Sequence, residues 1–101
     1  MVKNSSAGNW DSLTELTNVN GTLFFRADDG VNGHELWKSD GSEANTVLVK
    51  DINDSGSSYP KHLTNVNGTL FFRADGGASG YELWKSDGTF ANTVLVKDIN
   101  P

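Results

Sequence analysis

The chain contains the same 13-residue sequence twice, LTNVNGTLFFRAD, at residues 16–28 and again 47 positions later at residues 63–75. When residues 16–54 are aligned with residues 63–101, 32 of the 39 positions are identical. Such near-identity indicates recent duplication or deliberate engineering. A period of about 40 to 50 residues is typical of tandem arrays, in which each repeat must stack on its neighbours to bury its apolar face. The sequence therefore predicts two similar units, which are too few to cover all of these faces.

Turn signals divide each repeat into four strands. Asn20-Gly21 and Asn67-Gly68 are flanked by apolar residues, a strong hairpin signal because both central residues of a type I′ turn have positive φ. An Asp-Gly dipeptide after each Glu-Leu-Trp-Lys-Ser segment gives the same signal. The predicted strands are residues 16–20, 22–28, 34–39 and 46–52, and then 63–67, 69–75, 81–86 and 93–99. The predicted fold class is all-β, with two four-stranded antiparallel units.

Both faces of these strands carry apolar residues. Phe24 lies opposite Leu23 and Phe25 in the strand alternation. A sheet that is apolar on both faces is covered on both sides, as a propeller blade is. In a chain of two blades the two outer faces would remain apolar and exposed, which predicts self-association.

The predicted organisation is an N-terminal arm at 1–12, a first blade at 13–59 and a second blade at 60–101. The sequence starts just before the first strand of one blade and stops just after the last strand of the other, so each copy would supply whole blades. Reuse of the contact between blades would then give a head-to-tail assembly that closes into a ring. Propellers hold about four to eight blades, so a homotrimer or homotetramer with about six or eight blades is expected.

The segment Glu-Leu-Trp-x-x-Asp-Gly-Thr or Ser resembles the repeat unit of the bacterial ELWxxDGT repeat proteins. It occupies Glu35, Leu36, Trp37, Asp40 and Gly41 in the first repeat, and Glu82, Leu83, Trp84, Asp87 and Gly88 in the second. The resemblance extends over residues 13–101. It implies a β-propeller and a parent protein that is exported or on the bacterial cell surface, and it implies no known chemistry.

Composition narrows the classes of function. The net charge of −5 disfavours nucleic acid and anionic membranes as partners, because phosphate binding depends on clustered Lys and Arg. No apolar run approaches the length of a membrane span. There is no cysteine, which excludes disulfides and thiolate chemistry. We expect no cofactor.

Metal binding and catalysis have weak candidates. Asp28, Asp29 and Asn32 place oxygen ligands close together, as a calcium loop does, but an ordinary hairpin turn is favoured because the second repeat loses two of the three. His34 and His62 do not recur in the other repeat, so a two-histidine metal site is not expected. No serine lies in a nucleophile elbow, so we expect no catalytic residues.

Ligand binding has four candidate residues. Trp37 and Trp84 could stack on a carbohydrate, although packing between blades is favoured. Asn18 and Asn65, on the innermost strands beside Thr17 and Thr64, could line a central channel. Cross-strand ion pairs are expected at two equivalent places, Arg26 with Glu35 and Arg73 with Glu82.

Three functions remain open. The favoured one is a non-catalytic module that assembles into a ring and serves as a scaffold or binding platform, with a glycan or small molecule as a possible ligand. The second is a lectin-like adhesin that gains avidity from repeated weak pockets. The third, a propeller hydrolase, needs an asymmetric polar cluster that a near-identical repeat does not supply.

Overall fold

The computed structural model of the chain describes residues 9–28, 33–42, 44–53, 56–77 and 80–97. Eight strands form two four-stranded antiparallel sheets, and the strand order in each sheet follows the chain. The N-terminal sheet contains β1 (Asn9–Val19), β2 (Thr22–Asp28), β3 (His34–Ser39) and β4 (Val47–Lys50). The C-terminal sheet contains β5 (Lys61–Val66), β6 (Thr69–Asp75), β7 (Tyr81–Ser86) and β8 (Val94–Lys97). The predicted all-β class is confirmed, and within the described ranges no helix of the length and hydrophobicity of a membrane span occurs.

The central strands β2, β3, β6 and β7 have the predicted bounds, whereas β4 and β8 are shorter than predicted, β5 begins two residues early, and β1 differs most. β1 begins at Asn9, seven residues before the predicted start at residue 16, and pairs with the full length of β2. The register shifts between Asn9 and Thr14 and again between Thr14 and Thr17. Residues 9–15 are mostly polar and do not alternate, so their strand depends on pairing with β2 rather than on an intrinsic pattern.

Both predicted Asn-Gly hairpins are present. Asn20 and Gly21 have φ values of 53° and 87°, and Asn67 and Gly68 repeat them at 52° and 87°. Positive φ at both central residues is the requirement of the type I′ turn, which Asn tolerates and Gly adopts without strain. The turns therefore fix the register of the first two strands of each sheet over the residues next to the turn.

The two faces of each sheet carry different residues. The register of β2 with β3 pairs Arg26 with Leu36 and Phe25 with Trp37, and β6 with β7 repeats this pattern. Side chains alternate along a strand, so these pairs lie on opposite faces. The front face contains Phe24, Leu36 and Val49 in the N-terminal sheet and Phe71, Leu83 and Val96 in the C-terminal sheet. The back face contains Phe25, Ala27 and Trp37 in the N-terminal sheet and Phe72, Ala74 and Trp84 in the C-terminal sheet.

The main core lies between the sheets, where the front face of the N-terminal sheet packs on the back face of the C-terminal sheet. We call this contact the junction. Its buried residues are Val19, Phe24, Leu36, Val49, Ile52, Leu70, Phe72 and Ala74, with Leu63 and Trp84 packed against them. The sheets thus stack in the same direction, front onto back, rather than as mirror images.

The two outer faces differ from each other. On the front face of the C-terminal sheet, Leu83 is 38% exposed and Val96 is 42% exposed. On the back face of the N-terminal sheet, Phe25, Ala27 and Trp37 are buried and form a second core cluster with Leu23 and Leu48. The expectation that both outer faces are exposed is therefore wrong for the N-terminal sheet, since its back face is already covered within one chain.

Candidate interaction surface

Identical residues in the two repeats have different environments. Leu36 is 0% exposed, whereas its equivalent Leu83 is 38% exposed. Val49 and Val96 differ in the same way, at 5% and 42%. The cause is the junction, because the C-terminal sheet covers the front face of the N-terminal sheet and nothing described covers the equivalent face of the C-terminal sheet. This open front face is the candidate interaction surface.

A lysine of the N-terminal sheet forms a hydrogen bond across the junction. The Nζ of Lys38 donates to the carbonyl oxygen of Gly88 at 2.7 Å. Gly88 is buried, with a φ of 97° that favours glycine, and a Cβ at that position would lie 3.3 Å from Cζ of Phe24. The Asp-Gly turn of one sheet therefore fits against the Phe and Lys of the sheet in front of it.

A second lysine contributes nearby. The Nζ of Lys50 donates to the carbonyl oxygen of Thr93 at 3.1 Å and lies 4.8 Å from the centroid of the Phe90 ring. Phe90 is 67% exposed, so the cation–π contact is at the surface. Both lysines on the front face of the N-terminal sheet thus bond to backbone carbonyls of the C-terminal sheet.

The first strands of the two sheets, β1 and β5, contribute further polar contacts of the junction. The hydroxyl of Thr17 donates to the carbonyl of Leu63 at 3.2 Å, and Nδ2 of Asn65 donates to the carbonyl of Asn18 at 3.3 Å. The backbone N–H of His62 donates to Oε1 of Glu15 at 2.6 Å. These bonds join equivalent edges of the two sheets.

The predicted ligand candidates Asn18 and Asn65 have a structural role in the hairpins. Oδ1 of Asn18 accepts the N–H of Gly21 at 2.9 Å, and Oδ1 of Asn65 accepts that of Gly68 at 2.9 Å. Both residues are exposed. Their side chains stabilise the turn, and a role in lining a channel stays a prediction.

Trp37 and Trp84 lie on the back faces. Trp37 is buried in the second core cluster, and Trp84 is half-buried against the main core. Both indoles therefore contribute to packing, Trp84 at the junction and Trp37 among residues of the N-terminal sheet, so packing between blades stays a prediction for Trp37. Binding of a carbohydrate by these residues stays a prediction, and it would need the ring faces to become accessible.

The metal candidates are only partly described. Asp28 lies 3.9 Å through Oδ2 from Nε2 of His34, while Asp29 and Asn32 lie outside the described residues. His34 stacks on Tyr59, with ring centroids 5.0 Å apart, and His62 is exposed. Across the residues that the structure describes, no three His, Cys, Asp or Glu side chains come together as metal ligands.

The motif residue Glu35 anchors the linker between the sheets. It is fully buried, and its Oε1 accepts the N–H of Ile52 at 3.0 Å and the hydroxyl of Ser58 at 2.6 Å. Its Oε2 accepts the N–H of Ser58 at 3.1 Å. Burial, opposed by these bonds and assisted by the nearby Asp51 carboxylate, raises the pKa of Glu35 to about 8. Sequence reasoning missed this role.

The predicted ion pair between Arg26 and Glu35 is wrong. The register places Arg26 opposite Leu36 and Glu35 opposite Ala27, so the guanidinium and the carboxylate start from opposite faces. Cζ of Arg26 instead lies 5.6 Å from the centroid of the Tyr59 ring.

The equivalent prediction for Arg73 and Glu82 is wrong for the same reason. Arg73 is opposite Leu83, and Glu82 is opposite Ala74. Cζ of Arg73 lies 4.4 Å from the centroid of the Tyr81 ring. The order of residues along the hairpin could not reveal this, because Glu82 lies opposite the residue that follows Arg73 and not opposite Arg73 itself.

The motif residues Asp40 and Asp87 organise the turns that follow β3 and β7. These turns are not the type I′ turns that the Asp-Gly signal predicted, because neither aspartate has a positive φ. Oδ1 of Asp40 accepts the N–H and the hydroxyl of Ser42, and Oδ2 accepts Nδ2 of Asn45 at 2.8 Å. Asp87 repeats this arrangement in the second repeat. These donors favour the ionised carboxylate and lower the pKa of both aspartates. Each side chain is thus committed to its own turn.

Comparisons of the chain with protein-family models, with curated proteins and with solved structures found no match.

Proposed function

We propose that this chain is a non-catalytic repeat module that assembles head to tail, with the open front face of one copy packing on the back face of the N-terminal sheet of the next. Three or four copies would close a β-propeller of about six or eight blades, within the usual range of such rings. The ring would serve as a scaffold or binding platform. The open front face of the C-terminal sheet, which includes Leu83 and Val96, carries the proposal.

The junction within one chain is the template for the contact between chains. The front face that is open in the C-terminal sheet has the same residues as the front face that is covered in the N-terminal sheet. A surface that is buried in one repeat and exposed in the other has a known complement, the back face of a neighbouring sheet. The resemblance to ELWxxDGT repeats supports the same arrangement, since the motif residues recur in both sheets.

The proposed partner surface is not free in a single chain. Phe25, Ala27 and Trp37 on the back face of the N-terminal sheet are already buried. These residues must therefore become accessible before the front face of a second copy can pack on them. We expect assembly to be slow and concentration-dependent, because it begins with a local opening step.

Native mass spectrometry, checked by light scattering over a range of concentrations, tests the proposal. We expect a sharp species at three or four chain masses. Replacing Leu83 with Gln should shift the distribution towards the monomer, because the glutamine amide would be buried without a hydrogen-bond partner.

Val94→Gln is the matched control. The equivalent of Val94 is Val47, which stays 38% exposed although the junction beside it is filled, so residue 94 should stay accessible in the ring. This variant should assemble as the parent chain does. A parent chain that remains monomeric at every concentration, or a species of two chain masses only, would contradict ring assembly.

A further inference from the structure

Lys85 occupies, on the open front face, the position that Lys38 occupies at the junction. Lys38 bonds to the carbonyl of Gly88 at 2.7 Å, across the junction. Lys85 is exposed and bonds to no acceptor among the described residues. The two lysines have the same immediate neighbours in sequence. They differ because a second sheet packs on the front face that carries Lys38, and no described residue packs on the front face that carries Lys85.

The matching acceptor is also present and open. Gly41 is the equivalent of Gly88 and has nearly the same backbone conformation, with φ of 100° against 97°. A Cβ placed at Gly41 would meet nothing within 4 Å, whereas at Gly88 it would meet Phe24 and the Lys38 ammonium. The Asp-Gly turn of the N-terminal sheet therefore has open space beside Gly41, in the place where Phe24 and Lys38 lie beside Gly88.

We infer that Lys85 selects the partner and the orientation of the assembly, by donating its ammonium to the carbonyl of Gly41 in a second copy of this chain. This inference rests on the proposed head-to-tail assembly and names the polar contact that directs it. Gly41 presents the carbonyl. Phe71, the equivalent of Phe24, would fill the space above this glycine.

The chemistry makes the contact selective. An ammonium group that is removed from water without an acceptor is costly, whereas a charge-assisted bond to a carbonyl satisfies it. Head-to-tail packing provides the carbonyl. Packing of two front faces against each other would instead bring two Lys85 side chains together, and like charges disfavour that arrangement. The lysine thus favours the ring over a symmetric dimer.

Lys85→Met tests the inference, because methionine keeps the apolar stem and removes the charged donor. Native mass spectrometry of parent and variant at matched concentrations is the readout. Loss of a hydrogen bond to a charged group corresponds to about tenfold to hundredfold weaker association at each contact between chains. We expect the variant to dissociate at concentrations where the parent is a ring. If part of the variant still assembles, we expect a two-chain species among its assemblies.

Lys38→Met is the matched control. Lys38 acts within one chain, so its replacement should lower the melting temperature of the monomer, whereas Lys85→Met should leave that temperature unchanged. A parent ring that Lys85→Met does not weaken would overturn the inference and leave the assembly proposal standing. A parent chain that never assembles would overturn the assembly proposal itself, and with it this inference.

Discussion

Replacing the same leucine in each repeat measures how much the junction stabilises the chain. Leu36 is fully buried in the main core, and Leu83 is 38% exposed on the open front face. Leu36→Ala loses the transfer free energy of the side chain and leaves a cavity between the sheets. Substitutions of this kind in cores cost about 2 to 5 kcal/mol of unfolding free energy.

Leu83→Ala has a smaller expected cost. Full burial of a leucine side chain contributes about 1.5 to 3 kcal/mol, and Leu83 is only partly buried, so its truncation should cost about 1 to 2 kcal/mol. No enclosed cavity forms at an open surface. We therefore expect a difference of about 2 kcal/mol between the two variants, which corresponds to about 10 °C in melting temperature for a domain of this size.

Urea unfolding followed by Trp fluorescence, at a concentration where light scattering shows single chains, provides the comparison. Thermal unfolding by circular dichroism gives an independent estimate of the same difference. Equal losses in the two variants would refute the reasoning, because they would mean that the C-terminal sheet does not cover Leu36 in solution. A larger loss for Leu83→Ala would mean that the assignment of covered and open front faces is reversed.

Two further outcomes are expected. The pKa of Glu35 is raised from 4.5 to about 8, so between these pH values the folded chain keeps a proton that the unfolded chain releases, and the unfolding free energy falls as pH rises. Glu35→Gln stays neutral, so it should reduce the fall in unfolding free energy by up to about 1.4 kcal/mol per pH unit. If urea unfolding shows the same pH dependence in both proteins, Glu35 is not protonated in the folded chain. The bond from Gly21 N–H to Asn18 holds the amide that would attack Asn20 in deamidation, so Asn18→Ala should accelerate loss of ammonia at Asn20. Peptide mapping after storage measures this rate, and equal rates would show that the bond gives no protection.

Much of the fold follows from local sequence signals. The Asn-Gly turns place the first hairpin of each sheet, and the turn residues on either side of β2 and β3 give the bounds of those strands. The early start of β1 was not predictable, because its polar first half becomes a strand only through pairing with β2. The anchoring role of Glu35 was equally hidden, since its partner Ser58 lies 23 residues away in a linker without periodic pattern.

The candidate surface was only partly predictable, and the reason lies in the repeat itself. Leu36 and Leu83 have the same neighbours in sequence, so no local pattern can say which is covered. The apolar character of both faces predicts that neighbours are needed on both sides. Which outer face remains open depends on contacts within the whole chain, and the buried cluster around Trp37 could not have been inferred from the repeat.

The positions at which the repeats differ are informative for the same reason. Residue 90 is Phe and its equivalent, residue 43, is Glu. Phe90 lies against Lys50 at the junction, where an aromatic ring can interact with the lysine while remaining exposed. A glutamate has no aromatic ring, so the first repeat cannot supply this cation–π contact from residue 43, and near-identical repeats need not form equally strong junctions.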